Sequence, residues 1–525
     1  MIYLGSTPEV LAQATLRARG GEAASVLEPS SRLGGWAATQ ELWPDIEVPL
    51  ETHHAGNLSQ RLIDDLRLVE EHGLAFLDPP ALAHAPAPDG QTPSLTIWRQ
   101  MDRTVEEIGR HSPQDAARWP DFCRQAHRHA GLLDELLQLD LAALVKQGLD
   151  AFGAGADQAA AGSEGGRQAV LSAHEGGRPT QAMLQATKSL LGGAAWNELA
   201  PALRLAVRLR RQGGPEMMEF LRVLPMTFKE LMDEWFETPL LRGLLGSSAV
   251  LNSHLGPQAA GTTLNFLFHL IGSPDGQFRN ICRVRGGLPA LMQALESAAR
   301  SAGVEITLNA DIRAYFEDDL ASDQNEPSSP ARETARKAEA SPPARLDTLS
   351  ASKAGNRSSQ GTSKLRDSAS AWTSAYLPHH TYLELLPPSH LTPELLRRLR
   401  PQAPRPVTTY LHILLEDPSL PADAESGHIV LAPSLEYIER AADAHKYDRP
   451  SENLIIDAFR THDQVLTLRL QYTHPDQPLS DLITQALEAS PIDPAQVQST
   501  NVHPASPIYT SQSLDLDQLV QRAFH

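Results

Sequence analysis

The spacing of hydrophobic positions changes several times along this chain, and each change predicts a different element. Ile2-Tyr3-Leu4 is a short apolar run that predicts a buried strand. Over Pro8–Arg19 the apolar positions Val10, Leu11, Ala14 and Ala18 recur at helical spacing. Thr7 stands where an N-cap belongs and Pro8 at the first helical position. A second apolar run, Val26-Leu27, ends in Glu28. Together these segments predict a β-α-β unit of ordinary size.

Beyond it the pattern is mostly helical. Ser59–His72 reads as a helix, and Thr104–Leu149 as amphipathic helix through Leu132, Leu133, Leu136, Leu137, Leu141 and Leu144. Residues 151–180 are rich in Gly, Ala and Gln and read as a flexible insertion. Helical spacing resumes over Gln181–Leu251 and again over Leu288–Ala302, which Gly303-Val304-Glu305-Ile306-Thr307-Leu308 follows as a strand. Periodicity vanishes over 317–370, where charged residues, Ser and Pro dominate, as in a disordered linker. Val407–Leu415, His428–Ala432, Leu454–Phe459 and Val465–Tyr472 then predict strands of an antiparallel sheet, and Leu482–Ala489 a helix.

Composition narrows the class. With 525 residues the chain has room for more than one domain. A net charge of −19 argues against nucleic acid and anionic membrane surfaces as main partners. It leaves room for peripheral apolar contact with a membrane, and for a partner chain or a second copy. Cys123 and Cys282 lie far apart with no metal-binding spacing, and the N-terminus carries no basic-then-apolar leader. Both features point to a reducing, cytoplasmic setting.

The chemistry concentrates near the N-terminus. An acidic residue ending the second strand of such a unit can accept hydrogen bonds from a ribose, and Glu28 stands there. Arg32-Leu-Gly34-Gly35 follows, and its glycines let backbone pass close to a bound dinucleotide. Glu28 and Arg32 also suit a plain surface salt bridge. The loop before the helix departs from the G-x-G-x-x-G template: Gly5 is present, but Thr7 and Val10 replace the second and third glycines. Those glycines normally admit the pyrophosphate and close helix–strand packing. Glu9 adds an anion where a diphosphate would meet the helix N-terminus. These residues predict a Rossmann-like half impaired in pyrophosphate binding.

Other signals are weaker. His53 and His54 are adjacent and would face opposite ways on extended backbone, which leaves a catalytic acid/base role for one of them open. His127 and His129 point apart on a helix, and His379-His380, Asp515 and Asp517 lack partners in sequence. No metal site is expected. The leucine-rich stretches 132–144 and 240–251 read as core, with a lipophilic tunnel as the sharper reading.

The ordered set Leu27-Glu28…Arg32-Leu-Gly34-Gly35, Glu41-Leu42-Trp43-Pro44, Arg283-Val-Arg285-Gly286-Gly287-Leu288-Pro289-Ala290-Leu291 and Gly303-Val304-Glu305-Ile306 resembles the phytoene desaturase-like FAD-dependent oxidoreductases. The resemblance implies an α/β class: a Rossmann-like FAD/NAD(P)-binding fold interleaved with a mixed α+β substrate domain. The expected division is 1–80 and 276–316 for cofactor binding, 81–275 for a mainly helical cap, 317–370 for an insertion and 371–525 for the substrate-domain sheet. FAD is the implied cofactor and a lipophilic small molecule the implied substrate. Gly5 would face pyrophosphate, Glu28 the ribose, and Arg32, Gly34 and Gly35 the cofactor channel; Val304 would bracket the adenine. The resemblance also implies a Gly-rich flavin segment after Ser513–Leu519, and the sequence ends at His525 without it. A flavin-dependent oxidoreductase or isomerase is therefore one expectation, and a flavin-free pseudoenzyme or scaffolding protein on the same fold the other.

Overall fold

The computed structural model describes residues 1–49, 60–77, 79–86, 92–137, 214–271, 283–316, 372–376, 380–386, 393–394, 397, 408–416, 428–490 and 492–504. The expectations for 151–180, 317–370, His53, His54, His379, Cys282, Asp515, Asp517 and the chain end lie outside them.

The chain opens with β1 (Ile2–Leu4), α1 (Pro8–Arg19) and β2 (Ser25–Glu28), followed by the hairpin β3 (Thr39–Trp43) and β4 (Ile46–Pro49). Next come α2 (Gln60–Leu66), β5 (Phe76–Leu77), β6 (Ala81–Ala85), β7 (Leu95–Trp98), α3 (Met101–Gly109) and α4 (Pro113–Leu137). Four helices follow: α5 (Gly214–Val223), α6 (Phe228–Trp235), α7 (Pro239–Ala249) and α8 (Thr262–Phe268). Then come β8 (Arg283–Val284), α9 (Gly287–Ser301), β9 (Glu305–Leu308), β10 (Trp372–Ser374), β11 (Thr408–Leu415) and β12 (His428–Leu431). The last elements are α10 (Leu435–Lys446), β13 (Ile455–His462), β14 (Val465–Gln471), α11 (Leu479–Ala489) and β15 (Val497–Pro504).

The first sheet is parallel, in the order β10-β1-β2-β9. Both of its faces are covered, which is why its strands read as unbroken apolar runs. Tyr3 and Val26 pack with Leu11 of α1 and Leu291 and Leu295 of α9. Ile2, Leu4 and Leu27 face the opposite way, toward Ile312, Phe316 and Tyr382. This is a Rossmann-like layer. Its edge strand β10 comes from the region expected to belong wholly to the substrate domain: Ile2 pairs with Trp372 and Leu4 with Ser374.

The second sheet has seven strands in the order β15-β11-β14-β13-β12-β6-β7. It is antiparallel except where β12 runs parallel to β6. Residues 81–98, expected within a helical cap, thus supply two of its strands. One face packs Leu411, Ile413, Leu468 and Leu470 against Leu482 and Ala486 of α11. The other meets the helical region, whose core gathers Trp119, Phe122, Leu240, Leu241, Leu244 and Leu245 with Val430 and Ile455. Leu240, Leu241, Leu244 and Leu245 are therefore interior, and Leu251 is half-buried. A Cβ on Gly243 would lie 2.0 Å from the Ala432 carbonyl oxygen, so α7 approaches the strand end at backbone distance. The long helical stretch from Thr104 divides at Arg110–Ser112, because Pro113 cannot extend α3 and Ser112 Oγ accepts the Asp115 N–H at 3.1 Å.

Candidate functional site

The carboxyl ends of parallel strands are where ligands seat in such sheets. Gly5 follows β1, Glu28 closes β2, Asn309 follows β9, and Ala375-Tyr376 follows β10. Gly5 has φ +86° and donates its N–H to Leu27 O at 2.8 Å. Glu28 is 3% exposed. Its Oε2 accepts the Ser6 hydroxyl at 2.5 Å and its Oε1 the Ser30 N–H at 2.9 Å. Ser6 Oγ accepts the Gly34 N–H at 3.0 Å. One chain of hydrogen bonds thus ties the loops after β1 and β2 together through the carboxylate.

Gly34 is required by its geometry. Its φ is +140°, and a Cβ there would lie 2.8 Å from both the N and Cα of Ala38. With Gly35 (φ +55°) it starts the short 3₁₀ turn Gly35–Ala37. Arg32 turns away from this chain: its guanidinium meets Glu47 of β4 at 2.7 Å, with both side chains about half exposed. The bond from Arg32 holds the Glu47 carboxyl below its ordinary range. The surface bridge of Arg32 is thus made with Glu47 and not with Glu28. An exposed pair of this sort contributes at most about 1 kcal/mol.

Val304 lies at the other end of the sheet. Ser25 pairs with Glu305 and Glu28 with Leu308, so Val304 precedes the amino end of β9 while Glu28 sits at the carboxyl end of β2. Its N–H is donated to Ala299 O at 3.0 Å, and its side chain is buried with Val26 and Leu295. The structure brings Gly5, Glu28, Gly34 and Gly35 together and leaves Arg32 and Val304 outside the group.

The start of α1 carries its own anion. The Trp36 indole donates to Glu9 Oε2 at 3.2 Å. The Glu9 side chain keeps an exposed edge, yet surrounding protein pushes its pKa up, against hydrogen bonding from its own backbone N–H, Thr7 and Trp36. Thr7 is 2% and Val10 6% exposed, so the residues replacing the template glycines are packed in place.

Tyr376 reaches the same loops. A Cβ on Gly5 would lie 2.8 Å from Tyr376 Cε2 and 3.1 Å from its Cζ and from Ala375 Cβ. The tyrosine ring therefore lies against the glycine loop, with the His380 ring 5.0 Å behind it, centroid to centroid. His380 Nδ1 is 3.0 Å from Glu384 Oε2. Sequence reasoning missed Ser6 and Tyr376. Ser6 is a spacer position of the loop, and Tyr376 follows a three-residue strand too short to signal itself.

FAD can be tested against these groups. The adenosine end fits: a buried carboxylate stands at the tip of β2 and a glycine at the tip of β1. The diphosphate end does not fit: Thr7 and Val10 stand where the template has glycines, and Glu9 puts a carboxylate in the first turn of α1. Among the described residues no group of three or more metal-ligating side chains occurs. A separate cavity of about 360 Å³ lies in the helical region, lined by Arg124, Arg128, His129, Glu219 and Trp235 among others. Burial lowers the pKa of His129 to about 4.

Comparison with known proteins extends this geometry. No family model matches the chain. It aligns with a rat protein at 23% identity over 320 residues, covering 58% of this chain and 46% of the relative. A mouse counterpart aligns at 24% over 317 residues with the same coverage. This chain resembles pyridine nucleotide-disulfide oxidoreductase domain-containing protein 2. It spans about half the length of these relatives. Among solved structures, an oxidoreductase from Methanosarcina mazei superposes with a TM-score of 0.48 at 12% identity, covering 98% of this chain and 90% of the other. Cyclohexylamine oxidase from Brevibacterium oxydans gives 0.40 at 11%, covering 96% and 84%.

Proposed function

We propose that this chain is an FAD-dependent oxidoreductase acting on a lipophilic small molecule. The observation that carries the reading is the buried Glu28 carboxylate at the tip of β2, beside Gly5 at the tip of β1. The oxidoreductase relatives support the reaction class, and the family motifs support the substrate class. Glu28 would hold the adenosine ribose, and Gly5 would admit the cofactor backbone closely. FAD, when bound, supplies the transfer of hydride or electrons. No residue of this chain is assigned as a catalytic acid or base. A peripheral membrane contact and a partner chain or second copy belong to the same proposal.

The second reading is a flavin-free binding or scaffolding protein on the same fold. The packed Thr7 and Val10, the Glu9 carboxylate and the Tyr376 ring favour it. The visible spectrum of the purified protein, before and after adding FAD, separates the two. Perturbed flavin bands after gel filtration support the first reading. Failure of the protein to take up added FAD supports the second.

A further inference from the structure

We infer that Tyr376 and Glu9 hold the place of the diphosphate at the carboxyl ends of β1 and β2, so that FAD enters only by displacing both. The inference rests on the flavin reading above and adds how the site is regulated.

Three observations converge on it. The Tyr376 ring lies against Gly5, within 2.8 Å of where a Cβ would stand. The dinucleotide template keeps its first glycine for the tight turn after β1 and its second for close phosphate approach; Tyr376 crowds the first, and Thr7 stands at the second. Tyr376 is 5% exposed, and its backbone is held at both ends: Ser374 Oγ accepts the Tyr376 N–H at 3.1 Å, and the Thr381 hydroxyl donates to Tyr376 O at 3.2 Å. Its segment is thus anchored on both sides of the ring.

The charge points the same way. Pro8 has no N–H, so the first turn of α1 offers fewer donors than usual. Glu9 sits in that turn, and the Trp36 indole fixes its carboxylate from the glycine turn at 3.2 Å. An anion there already takes the favourable helix potential, and a diphosphate would be repelled by it. Ser6 completes the closure. Its hydroxyl donates to Glu28, the acceptor a ribose would need, while its oxygen accepts from Gly34. All these contacts lie at one end of one sheet and are made by residues of three separate loops.

The test titrates FAD, followed by quenching of its fluorescence, against four proteins. These are wild type, Glu9→Gln, Tyr376→Ala and the double variant, each checked for folding by circular dichroism. Tyr376→Phe, which keeps the ring, serves as a fifth. Glu9 is exposed, so Glu9→Gln keeps the fold and isolates the charge; a gain of about five-fold in affinity is expected. The double variant should bind about ten-fold or more tightly than wild type, while Tyr376→Phe binds like wild type. Equal, measurable affinities across all five overturn the closure and leave the flavin reading standing. Wild type that emerges from purification with stoichiometric FAD does the same. No binding by any of the five overturns the flavin reading, and the closure with it.

Discussion

Glu28 is buried and still satisfied, because Ser6 and Ser30 supply donors to its two oxygens. A buried carboxylate without such donors would cost several kcal/mol. The same donors compete with any ribose. His129 shows the opposite solution. It is 5% exposed beside Phe220, and burial lowers its pKa from 6.5 to about 4. The folded state therefore binds fewer protons than the unfolded state between those values. Folding stability is expected to rise with pH across that window, and denaturant melts at several pH values check it. His129→Phe should flatten this part of the curve; an unchanged slope assigns the linkage elsewhere. Glu9 titrates the other way. Its raised pKa means that acidification neutralises it before an ordinary carboxylate. FAD affinity is expected to rise as pH falls toward the carboxylate range in wild type, and to lose that component in Glu9→Gln. A pH profile of the titration decides this.

At the scale of elements, one joint ties the start of α4 to the start of α7 in the helical region. Asp115 is fully buried in α4 and accepts the N–H groups of Glu237 at 3.1 Å and Thr238 at 2.8 Å, just before α7 begins. Ser112 adds a bond to Glu237 Oε1 at 2.8 Å. Asp115→Ala leaves the start of α7 without acceptors and should destabilise the protein by about 3 kcal/mol, read from urea melts. A loss under 0.5 kcal/mol would mean that this joint is idle. Helices and the strands of the main antiparallel sheet were legible because their apolar periods are long: α1, α9, β11 and β14 fall within a residue or so of expectation. Strands β3, β4, β6 and β7 were not, since short strands with mixed alternation give no period, and neither was β15, whose eight residues are mostly polar. β14 also shows where pattern misleads. Val465-Leu-Thr-Leu-Arg-Leu-Gln471 alternates as a half-solvated strand would, yet Thr467, Arg469 and Gln471 are buried. Arg469 pairs with Asp457 of β13, and Gln471 Nε2 donates to Val250 O at 2.5 Å beyond α7. The helical region, distant in sequence, covers the polar face.

At the scale of the whole molecule, a four-stranded parallel sheet stands beside a seven-stranded sheet capped by helices. The chain crosses between them more than once. Residues 81–98 leave the first for the second, 283–308 return, and β10 closes the parallel sheet before β11 re-enters the other. The β-α-β start and the glycine turn made the first sheet legible. The proposed closure was only half legible: Thr7, Glu9 and Val10 stand in the motif, while Tyr376 arrives from the far part of the sequence through a three-residue strand. The central claim is that FAD seats at the carboxyl ends of β1 and β2, on Glu28. Its most direct test is equilibrium dialysis of FAD against wild type and Glu28→Gln in parallel, in the Tyr376→Ala background as well. The account predicts measurable uptake that tightens when Tyr376 is removed and weakens by about ten-fold or more when Glu28 loses its charge. Uptake indifferent to Glu28, or none in any background, contradicts it.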